Sequence, residues 1–208
     1  GYDVQVLSED GKEVGPGILG AISIKLPLPP GSLPTLWNAD DRYIESYLST
    51  FPGYYETGDA GYQDEDGYLY IMSRTDDVIN VAGHRLSTGA MEEAVSNHID
   101  VAECAVIGVL DNLKGQVPLG LVCLNNGCNK PDEVICKEII DLVRTEIGPV
   151  AAFKSVAVVS ALPKTRSGKI LRATIRKIAD NVDWEMPATV DNPLVFDEIK
   201  KAIKPLGY

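Results

Sequence analysis

Hydrophobic and polar residues alternate along the first part of the chain, a pattern that is typical of half-buried β-strands. The clearest case is residues 18–26, where every second residue from Ile22 to Leu26 is apolar. Residues 2–7 have the composition of another strand, and the polar residues 9–12 supply a turn between the two. The sequence therefore predicts a β-hairpin at the start of the chain.

The next elements are separated from this hairpin by a proline-rich stretch. Four prolines lie within residues 27–34, and because proline lacks the backbone N–H that a central strand needs, this stretch is predicted to be a loop. A short helix is predicted over residues 40–51. Residues 54–72 return to a β pattern, with Asp66-Gly67 as the turn of a second hairpin.

Beyond residue 76 the hydrophobic period changes repeatedly between that of a helix and that of a strand. Residues 88–97 are predicted to form a helix with Ser87 as its N-cap. Residues 101–109 and 117–124 are rich in Val, Ile and Leu, and this composition is typical of buried strands.

Three further elements are predicted toward the end of the chain. A helix begins after Pro131 and ends near Gly148, a strand covers residues 153–159, and another helix covers residues 169–180. Because strands and helices mix without a regular βαβ alternation, the sequence predicts an α+β fold.

The same patterns divide the chain of 208 residues into three segments. Residues 1–75 are predicted to form a β-rich piece, residues 76–182 a compact α+β domain of ordinary size, and residues 183–208 a loosely attached tail. Hydrophobic residues make up 45% of the chain and charged residues 24%, a composition that excludes disordered and fibrous proteins.

The net charge of the chain is −11, since 30 acidic residues outnumber 19 lysines and arginines. Such a charge repels nucleic acid and anionic membrane surfaces, so neither is an expected partner. No apolar run reaches the length of a membrane-spanning helix, so no membrane span is expected. The first residues resemble neither an initiator methionine nor a signal peptide, so the chain is expected to be cut from a longer protein.

Cysteine and glycine motifs exclude two kinds of site. No cysteine pair has CxxC spacing, which predicts reduced thiols in a reducing compartment, and neither His84 nor His98 lies at ligand spacing from a cysteine pair, so zinc is not expected. A GxGxxG match at residues 15–20 precedes a strand instead of following one, and therefore does not predict dinucleotide binding. The cysteines are Cys104, Cys123, Cys128 and Cys136.

Three segments carry candidate chemistry, and each has a simpler structural alternative. Residues 54–59 end in Gly-Asp, whose carboxylate suits either a bidentate hold on a vicinal diol such as ribose or an Asx-type turn. Residues 73–85 place two arginines around two acids and a glycine, which suits a ligand site or salt bridges on a connecting loop. Residues 164–177 hold six basic residues and no acid, which suits a phosphate or carboxylate ligand or a solvated basic helix.

Taken together and in this order, the three segments resemble the adenylate-forming acyl-CoA synthetases. The matching motifs are YxTGD at residues 55–59, a charged motif that ends in GHR at residues 83–85, and PKTRSGK at residues 163–169. The sequence GHRLST at residues 83–88 and the segment at residues 143–149 resemble those of the short-chain branch, which includes acetyl- and propionyl-CoA synthetases. The resemblance covers residues 1 to about 180, but only the C-terminal third of such an enzyme.

This resemblance implies a ligase with two half-reactions. A carboxylate and ATP, with Mg²⁺, would give an acyl-adenylate and pyrophosphate, and the acyl group would then pass to coenzyme A. Propionate is the implied substrate, with acetate and butyrate as further ones. A C-terminal domain that rotates about a hinge at Asp76 would present a different face to the nucleotide in each half-reaction.

The same resemblance implies roles for single residues around the nucleotide. Asp59 would hold the ribose hydroxyls, Arg74 would lie against the ribose and Asp59, and Arg85 would reach the nucleotide phosphate. Lys169 would be the catalytic lysine of adenylation, in contact with the substrate carboxylate and the α-phosphate. An ammonium on a flexible stem can offset the charge of both anions.

Other residues would bind coenzyme A and a metal ion. Gly83 would line the pantetheine tunnel, where any Cβ would narrow the passage, with Ala82 beside it, and Arg144 would contact a phosphate of coenzyme A. The resemblance also implies a cation-binding turn at three residues, Ser96, His98 and Val101.

The resemblance further implies what this segment lacks. The phosphate loop, adenine pocket and acyl pocket of the family lie upstream of Gly1, so the N-terminal domain of its own chain is an expected partner and this segment alone is not expected to catalyse adenylation. The branch implies the mitochondrial matrix, with the cytosol as the alternative. Two other functions stay open: an adenylation domain that loads a carrier protein, and a non-catalytic module that keeps the fold.

Overall fold

Two units make up the computed structural model, which describes residues 1–208. Unit 1 is Gly1–Asp76 and unit 2 is Asp77–Tyr208. Both units contain antiparallel β-sheet and helix, so the predicted α+β class is confirmed. The longest helix has 15 residues and is mixed in polarity, and none could cross a bilayer.

Unit 1 is a four-stranded antiparallel sheet with one short helix, α1 (Asp40–Tyr47), in the connection between its second and third strands. Its small core consists of Leu7, Ala21 and Phe51. Both predicted hairpins form, although the helix ends four residues before the predicted position. The strands, in both chain and sheet order, are β1 (Val4–Leu7), β2 (Gly20–Lys25), β3 (Tyr54–Gln63) and β4 (Leu69–Arg74).

Unit 2 is built on a five-stranded sheet in the order β6-β5-β8-β7, with β9 added parallel to β8. The long hairpin of β7 and β8 is paired from Val101 and Leu124 to Asp111 and Gly115, with a β-bulge between Val101 and Glu103. The strands are β5 (Val78–Val81), β6 (His84–Ser87), β7 (Val101–Asp111), β8 (Gly115–Leu124) and β9 (Ser155–Val158).

Helices cover both faces of this sheet. Successive side chains of a strand point to opposite faces, so the apolar strands give each face an apolar surface that helices bury. Val106 and Val122 belong to one cluster with α2 and α3, whereas Ile107 and Leu121 belong to another cluster with α4 and α5. Each cluster is fully enclosed, so unit 2 has two apolar cores that share one sheet. The helices are α2 (Thr88–Ser96), α3 (Asp132–Glu146), α4 (Arg172–Ala179) and α5 (Val195–Ile203).

The structure corrects the prediction of a loosely attached tail at residues 183–208. Residues 195–203 form α5, and its residues Phe196, Ile199 and Ile203 are each at most 1% exposed. The prediction failed because it took the absence of a regular pattern after residue 182 as absence of packing, although apolar residues recur at helical spacing within α5.

Two further elements differ from the prediction. The helix predicted over residues 169–180 begins only at Arg172, because residues 164–170 close a separate turn. The hairpin of β5 and β6 overlaps the charged segment at residues 73–85, for which no strand was predicted. Its strands have four residues each, too few for the period to stand out, and its two-residue turn is Ala82-Gly83.

Candidate functional site

In unit 1, the sheet register brings Asp59 of β3 opposite Arg74 of β4. The Arg74 Nη1 lies 3.6 Å from Asp59 Oδ1 and donates a 3.4 Å hydrogen bond to the carbonyl of Thr57. Gly58 permits this approach, since its φ is +77° and a Cβ there would lie 2.5 Å from Arg74 Nη2. The glycine of the TGD motif therefore makes room for the guanidinium, a role that the sequence analysis did not assign.

Both charged groups of this pair remain accessible to a ligand. The side chain of Asp59 is 35% exposed and that of Arg74 is 56% exposed. Arg74 Nε also lies 3.5 Å from Asp76 Oδ1, and Asp76 is the last residue of unit 1. The predicted hinge residue thus lies at the boundary between the two units, with its carboxylate beside Arg74.

In unit 2, the turn between β5 and β6 is an exposed backbone loop. Ala82 and Gly83 both have positive φ, 49° and 90°, the geometry of a two-residue type I′ hairpin turn. The Ala82 N–H donates to the carbonyl of Lys114 at 2.8 Å, and the Gly83 N–H donates to Asn80 Oδ1 at 3.0 Å. A Cβ on Gly83 would meet no atom within 4 Å, so this position faces open space.

The other predicted residue of this hairpin is Arg85, which lies on β6. It pairs with Asn80 of β5 in the sheet register and is half-buried. Residues 82, 83 and 85 therefore belong to one short hairpin of unit 2, whereas Asp59 and Arg74 belong to unit 1.

Arg144 lines a cavity of about 320 Å³ near the end of α3. Lys114 and Lys154 also line it, and no carboxylate does. Three cations suit a phosphate ligand. The backbone N–H groups of Lys114 and Leu113, together with the charges of Lys114 and Lys154, lower the pKa of the Asp111 carboxyl, which lies near the two lysines. The carbonyl of Lys114 accepts from the turn residue Ala82, so the cavity adjoins the β5–β6 turn. Lys114 and Lys154 carry no local motif, and the sequence analysis did not identify them.

Lys169 lies on a closed turn that precedes α4. The Thr165 N–H donates to the Lys169 carbonyl at 2.8 Å, and the Lys169 N–H donates to Thr165 Oγ1 at 3.1 Å. Gly168 completes the turn with φ of +84° and a 2.8 Å bond to the carbonyl of Thr165. The backbone of the turn is thus fixed, and Lys169, which closes the turn opposite Thr165, is exposed.

The basic stretch at residues 164–177 offers less positive charge to a ligand than its sequence suggests. Lys164 Nζ lies 2.6 Å from Glu103 Oε1, and Arg172 Nη2 lies 2.9 Å from Glu92 Oε2. Both acids are more than 60 positions earlier in the chain, so the sequence analysis did not pair them. The exposed bases are Arg166, Lys169 and Lys177.

The predicted metal residues have other partners in this structure. Both ring nitrogens of His98 are engaged, because Nδ1 accepts from the Asp100 N–H at 3.2 Å and Nε2 lies 3.0 Å from Glu138 Oε2. Ser96 Oγ donates to the carbonyl of Glu93 at 2.8 Å, and the side chain of Val101 has no ligand atom. These side chains are thus engaged with other groups of the protein, and the predicted cation-binding turn, whose ligands would be backbone atoms, stays a prediction.

A lysine supplies the positive charge beside His98, Asp100 and Glu138. Ligand atoms of His98, Asp100 and Glu138 lie within 4.8 Å of one another. Lys130 Nζ is 2.9 Å from Asp100 Oδ2 and 2.8 Å from Glu138 Oε2, so its ammonium neutralises both carboxylates. The hydrogen bonds to Lys130 lower the pKa of Asp100 and of Glu138, and these same carboxylates raise the pKa of Lys130.

Replacing Lys130 with methionine should destabilise unit 2 most near neutral pH. A lowered pKa in the folded state adds stability above the unfolded pKa, and this stability is lost as pH falls through the folded pKa. The difference in thermal midpoint between wild type and Lys130→Met should therefore be largest at about pH 6–9 and shrink at about pH 3. Thermal unfolding of the 208-residue chain across pH measures this.

The control for this prediction is Lys137→Met, because Lys137 is an exposed lysine on the same helix as Glu138. It should leave the thermal midpoint nearly unchanged at every pH. A deficit of Lys130→Met that is equally large at pH 3 and pH 7 would show that the ammonium does not act through these carboxylates.

The four cysteines are free thiols, as the sequence predicts. Burial raises the pKa of Cys104 to about 11 and also raises the pKa values of Cys123 and Cys136. Cys104 is therefore protonated at neutral pH and is a poor nucleophile.

Comparison with known proteins gives the following relatives. Residues 90–169 match the family of AMP-binding enzyme C-terminal domains. An uncharacterised protein of Pseudomonas aeruginosa is 58% identical over 98% of this chain and 32% of its own length. The mitochondrial acyl-CoA synthetase short-chain family member 3 of mouse is 48% identical over 98% of this chain and 30% of its own.

Among solved structures, the fold is similar to that of acetoacetyl-CoA synthetase from Streptomyces lividans. The TM-score is 0.80 at 23% sequence identity, over 99% of this chain and 31% of that enzyme. At this identity the likeness concerns the fold alone. The chain thus spans about a third of the length of the proteins that it matches.

Proposed function

Because this chain corresponds to the C-terminal part of an acyl-CoA synthetase, we propose that the full-length protein is an AMP-forming ligase for short-chain carboxylates. It joins a carboxylate to ATP, with Mg²⁺, to form an acyl-adenylate, and then transfers the acyl group to coenzyme A. The observation that carries this proposal is Lys169, an exposed residue that closes a turn with a fixed backbone.

Lys169 and the Asp59–Arg74 pair support the adenylation half-reaction. An exposed ammonium on a fixed turn can meet two anions, the carboxylate and the α-phosphate, and offset the charge that develops between them. The half-exposed carboxylate of Asp59 can accept two hydrogen bonds from a ribose diol, while Arg74 holds its other side. Arg85 is assigned to the nucleotide phosphate.

The second half-reaction is supported by the surface around the β5–β6 turn. The turn exposes backbone at Ala82 and Gly83 without a covering side chain, which suits the close passage of a narrow chain such as pantetheine. The adjoining cavity has three cations, Lys114, Arg144 and Lys154, suited to the phosphates of coenzyme A. A carrier protein presents no free nucleotide phosphates, so this cavity favours coenzyme A as the acceptor.

Propionate is the proposed main substrate, with acetate and butyrate as further ones. The mouse relative is a member of a short-chain acyl-CoA synthetase family, which supports short-chain acids as the substrate class. A location in the mitochondrial matrix stays a prediction, because the bacterial relative is more similar to this chain than the mitochondrial one.

The remainder of the full-length protein is the proposed partner of unit 1. Strand β4 is an edge strand of its sheet, and it exposes apolar side chains such as Ile71, which is 65% exposed. A long apolar edge is an aggregation hazard unless another part of the protein covers it. Because the chain spans about a third of its relatives' length, the rest of the protein is available to cover this edge.

The test of this function is carboxylate-dependent exchange of pyrophosphate into ATP by the full-length protein. Straight-chain acids of two to six carbons are compared at equal concentrations, without coenzyme A. Exchange that is fastest with the three-carbon acid supports the proposal. No exchange with any of these acids would refute it.

Removing the Asp59 carboxylate should weaken the binding of ATP. Hydrogen bonds to a charged group contribute about 1.5–3 kcal/mol each, so losing two of them in Asp59→Ala should raise the Kd for ATP about 10²–10⁴-fold. Isothermal titration of the full-length protein with ATP measures this change. Glu65→Gln, at an exposed acid in the β3–β4 turn, is the matched control and should bind ATP normally. Unchanged ATP affinity of Asp59→Ala would remove Asp59 from the site.

A further inference from the structure

Arg172 and Glu92 form an ion pair that joins α4 to α2. Arg172 Nε and Nη2 lie 3.1 and 2.9 Å from Glu92 Oε1, and Nη2 also lies 2.9 Å from Oε2. The side chains are only 26% and 19% exposed. Glu92 Oε1 accepts a third bond, 2.8 Å long, from the backbone N–H of Val106 in β7. The pair therefore connects three elements of unit 2.

The position of this pair in the chain relates it to Lys169. Arg172 is the first residue of α4 and lies three residues after Lys169. Glu92 lies in α2, which directly follows the β5–β6 hairpin of Gly83 and Arg85. A guanidinium that donates from two nitrogens, here Nε and Nη2, fixes direction as well as distance, which a single lysine contact does not.

The Lys169 turn is closed within itself but needs its ends fixed. The Leu171 N–H donates to the carbonyl of Pro163 at 2.9 Å, which brings the two ends of the turn together. On one side the backbone pairs with the C-terminal segment, since the Arg166 N–H donates to the carbonyl of Thr189 at 3.0 Å. On the side that enters α4, the Arg172–Glu92 pair attaches the turn to the body of unit 2.

We infer that Arg172, held by Glu92, is a positioning residue that sets the location of the Lys169 ammonium during adenylation. This inference rests on the proposed function, because it presupposes that Lys169 acts in that half-reaction. Arg172 itself does not contact the substrate, since its guanidinium is engaged with Glu92. Its effect is on the entry into α4 and through it on the turn.

The expected effect follows from the sensitivity of catalysis to position. A displacement of about 1 Å can cost about 100-fold in rate, so Arg172→Gln should lower kcat of adenylation about 10–100-fold. The KM for ATP should stay within about twofold, because the residues that bind the nucleotide are unchanged. Thioester formation from supplied acyl-adenylate and coenzyme A should proceed at the wild-type rate, since Lys169 does not act in that step.

Three further variants of the full-length protein separate positioning from folding. Arg172→Lys keeps the charge but loses the paired hydrogen bonds from Nε and Nη2, so the rate of adenylation should fall less than about 10-fold. Glu92→Gln should reproduce part of the Arg172→Gln defect, and the double variant should fall no further than the worse single one. Lys177→Gln removes an exposed base from the same helix and should keep wild-type rates in both half-reactions.

Each result bears on one of the two proposals. Loss of kcat confined to adenylation in Arg172→Gln, or in Arg172→Lys if the former does not fold, supports positioning. Equal loss in both half-reactions, or a defect no larger than that of Lys177→Gln, overturns it. Lys169→Ala, measured alongside, shows which proposal failed. If this variant adenylates normally, the proposed function is wrong. If it does not adenylate, the proposed function stands and only the positioning role of Arg172 is wrong.

Discussion

Acyl-adenylate formation by the full-length protein should slow about 10²–10³-fold when Lys169 is replaced by alanine, the typical cost of one preorganised electrostatic contact in a transition state. Lys169 is an exposed residue that closes a turn whose backbone is fixed by Thr165 and Gly168. Removal of its ammonium leaves that backbone intact, so the variant should fold normally. Exchange of pyrophosphate into ATP with the carboxylate measures the loss.

The second half-reaction provides the internal control for Lys169. Acyl-adenylate supplied with coenzyme A should give acyl-CoA at the wild-type rate in Lys169→Ala, because that step uses the surface at the β5–β6 turn. Arg166→Gln is the matched control variant, since Arg166 is an exposed base in the same turn. Equal damage to both half-reactions, or equal damage by Arg166→Gln, would reduce the turn to a general positive patch.

Unfolding of the 208-residue chain should become easier by about 2–5 kcal/mol in Ile199→Ala, the usual cost of truncating a fully buried isoleucine. Ile199 is 0% exposed and lies in the cluster formed by α4, α5 and one face of the β7–β8 hairpin. Alanine is a good helix former, so α5 itself should persist and the loss should come from packing. Urea titration followed by circular dichroism measures the change.

Leu194→Ala is the control for the α5 prediction. The side chain of Leu194 is similar in volume to that of Ile199. Leu194 lies just before α5 and is 74% exposed. Its replacement should change the unfolding free energy by less than about 0.5 kcal/mol. If both variants were equally harmless, residues 183–208 would be the loose tail that their sequence first suggested.

Elements with a long or well-capped pattern could be predicted from the sequence. Ser87 was predicted as the N-cap of α2, and its hydroxyl accepts from the Ala90 N–H at 3.3 Å. Strands β7 and β8 have 11 and 10 residues in the structure, and both were predicted. The four-residue strands β5 and β6 were missed because a period of two is not distinctive over so few positions.

The candidate site likewise contains residues that could be predicted from the sequence and residues that could not. Three site residues lie in motifs that could be found from their amino-acid sequence: Asp59, Arg74 and Lys169. The structure places Asp59 and Arg74 on paired strands. Their supporting partners could not be predicted, because Glu92 is 80 positions from Arg172 and Glu103 is 61 from Lys164. Such contacts depend on how the elements pack, which no local pattern records. The ion pairs of Lys130 with Asp100 and Glu138 could not be predicted for the same reason.

The most direct test of the whole account is a product analysis of the full-length protein with propionate, ATP, Mg²⁺ and coenzyme A. The account predicts AMP, pyrophosphate and propionyl-CoA in equal amounts, with acyl-adenylate bound to the protein when coenzyme A is left out. ADP and phosphate in place of AMP and pyrophosphate, or an acyl-adenylate that coenzyme A does not consume, would contradict it.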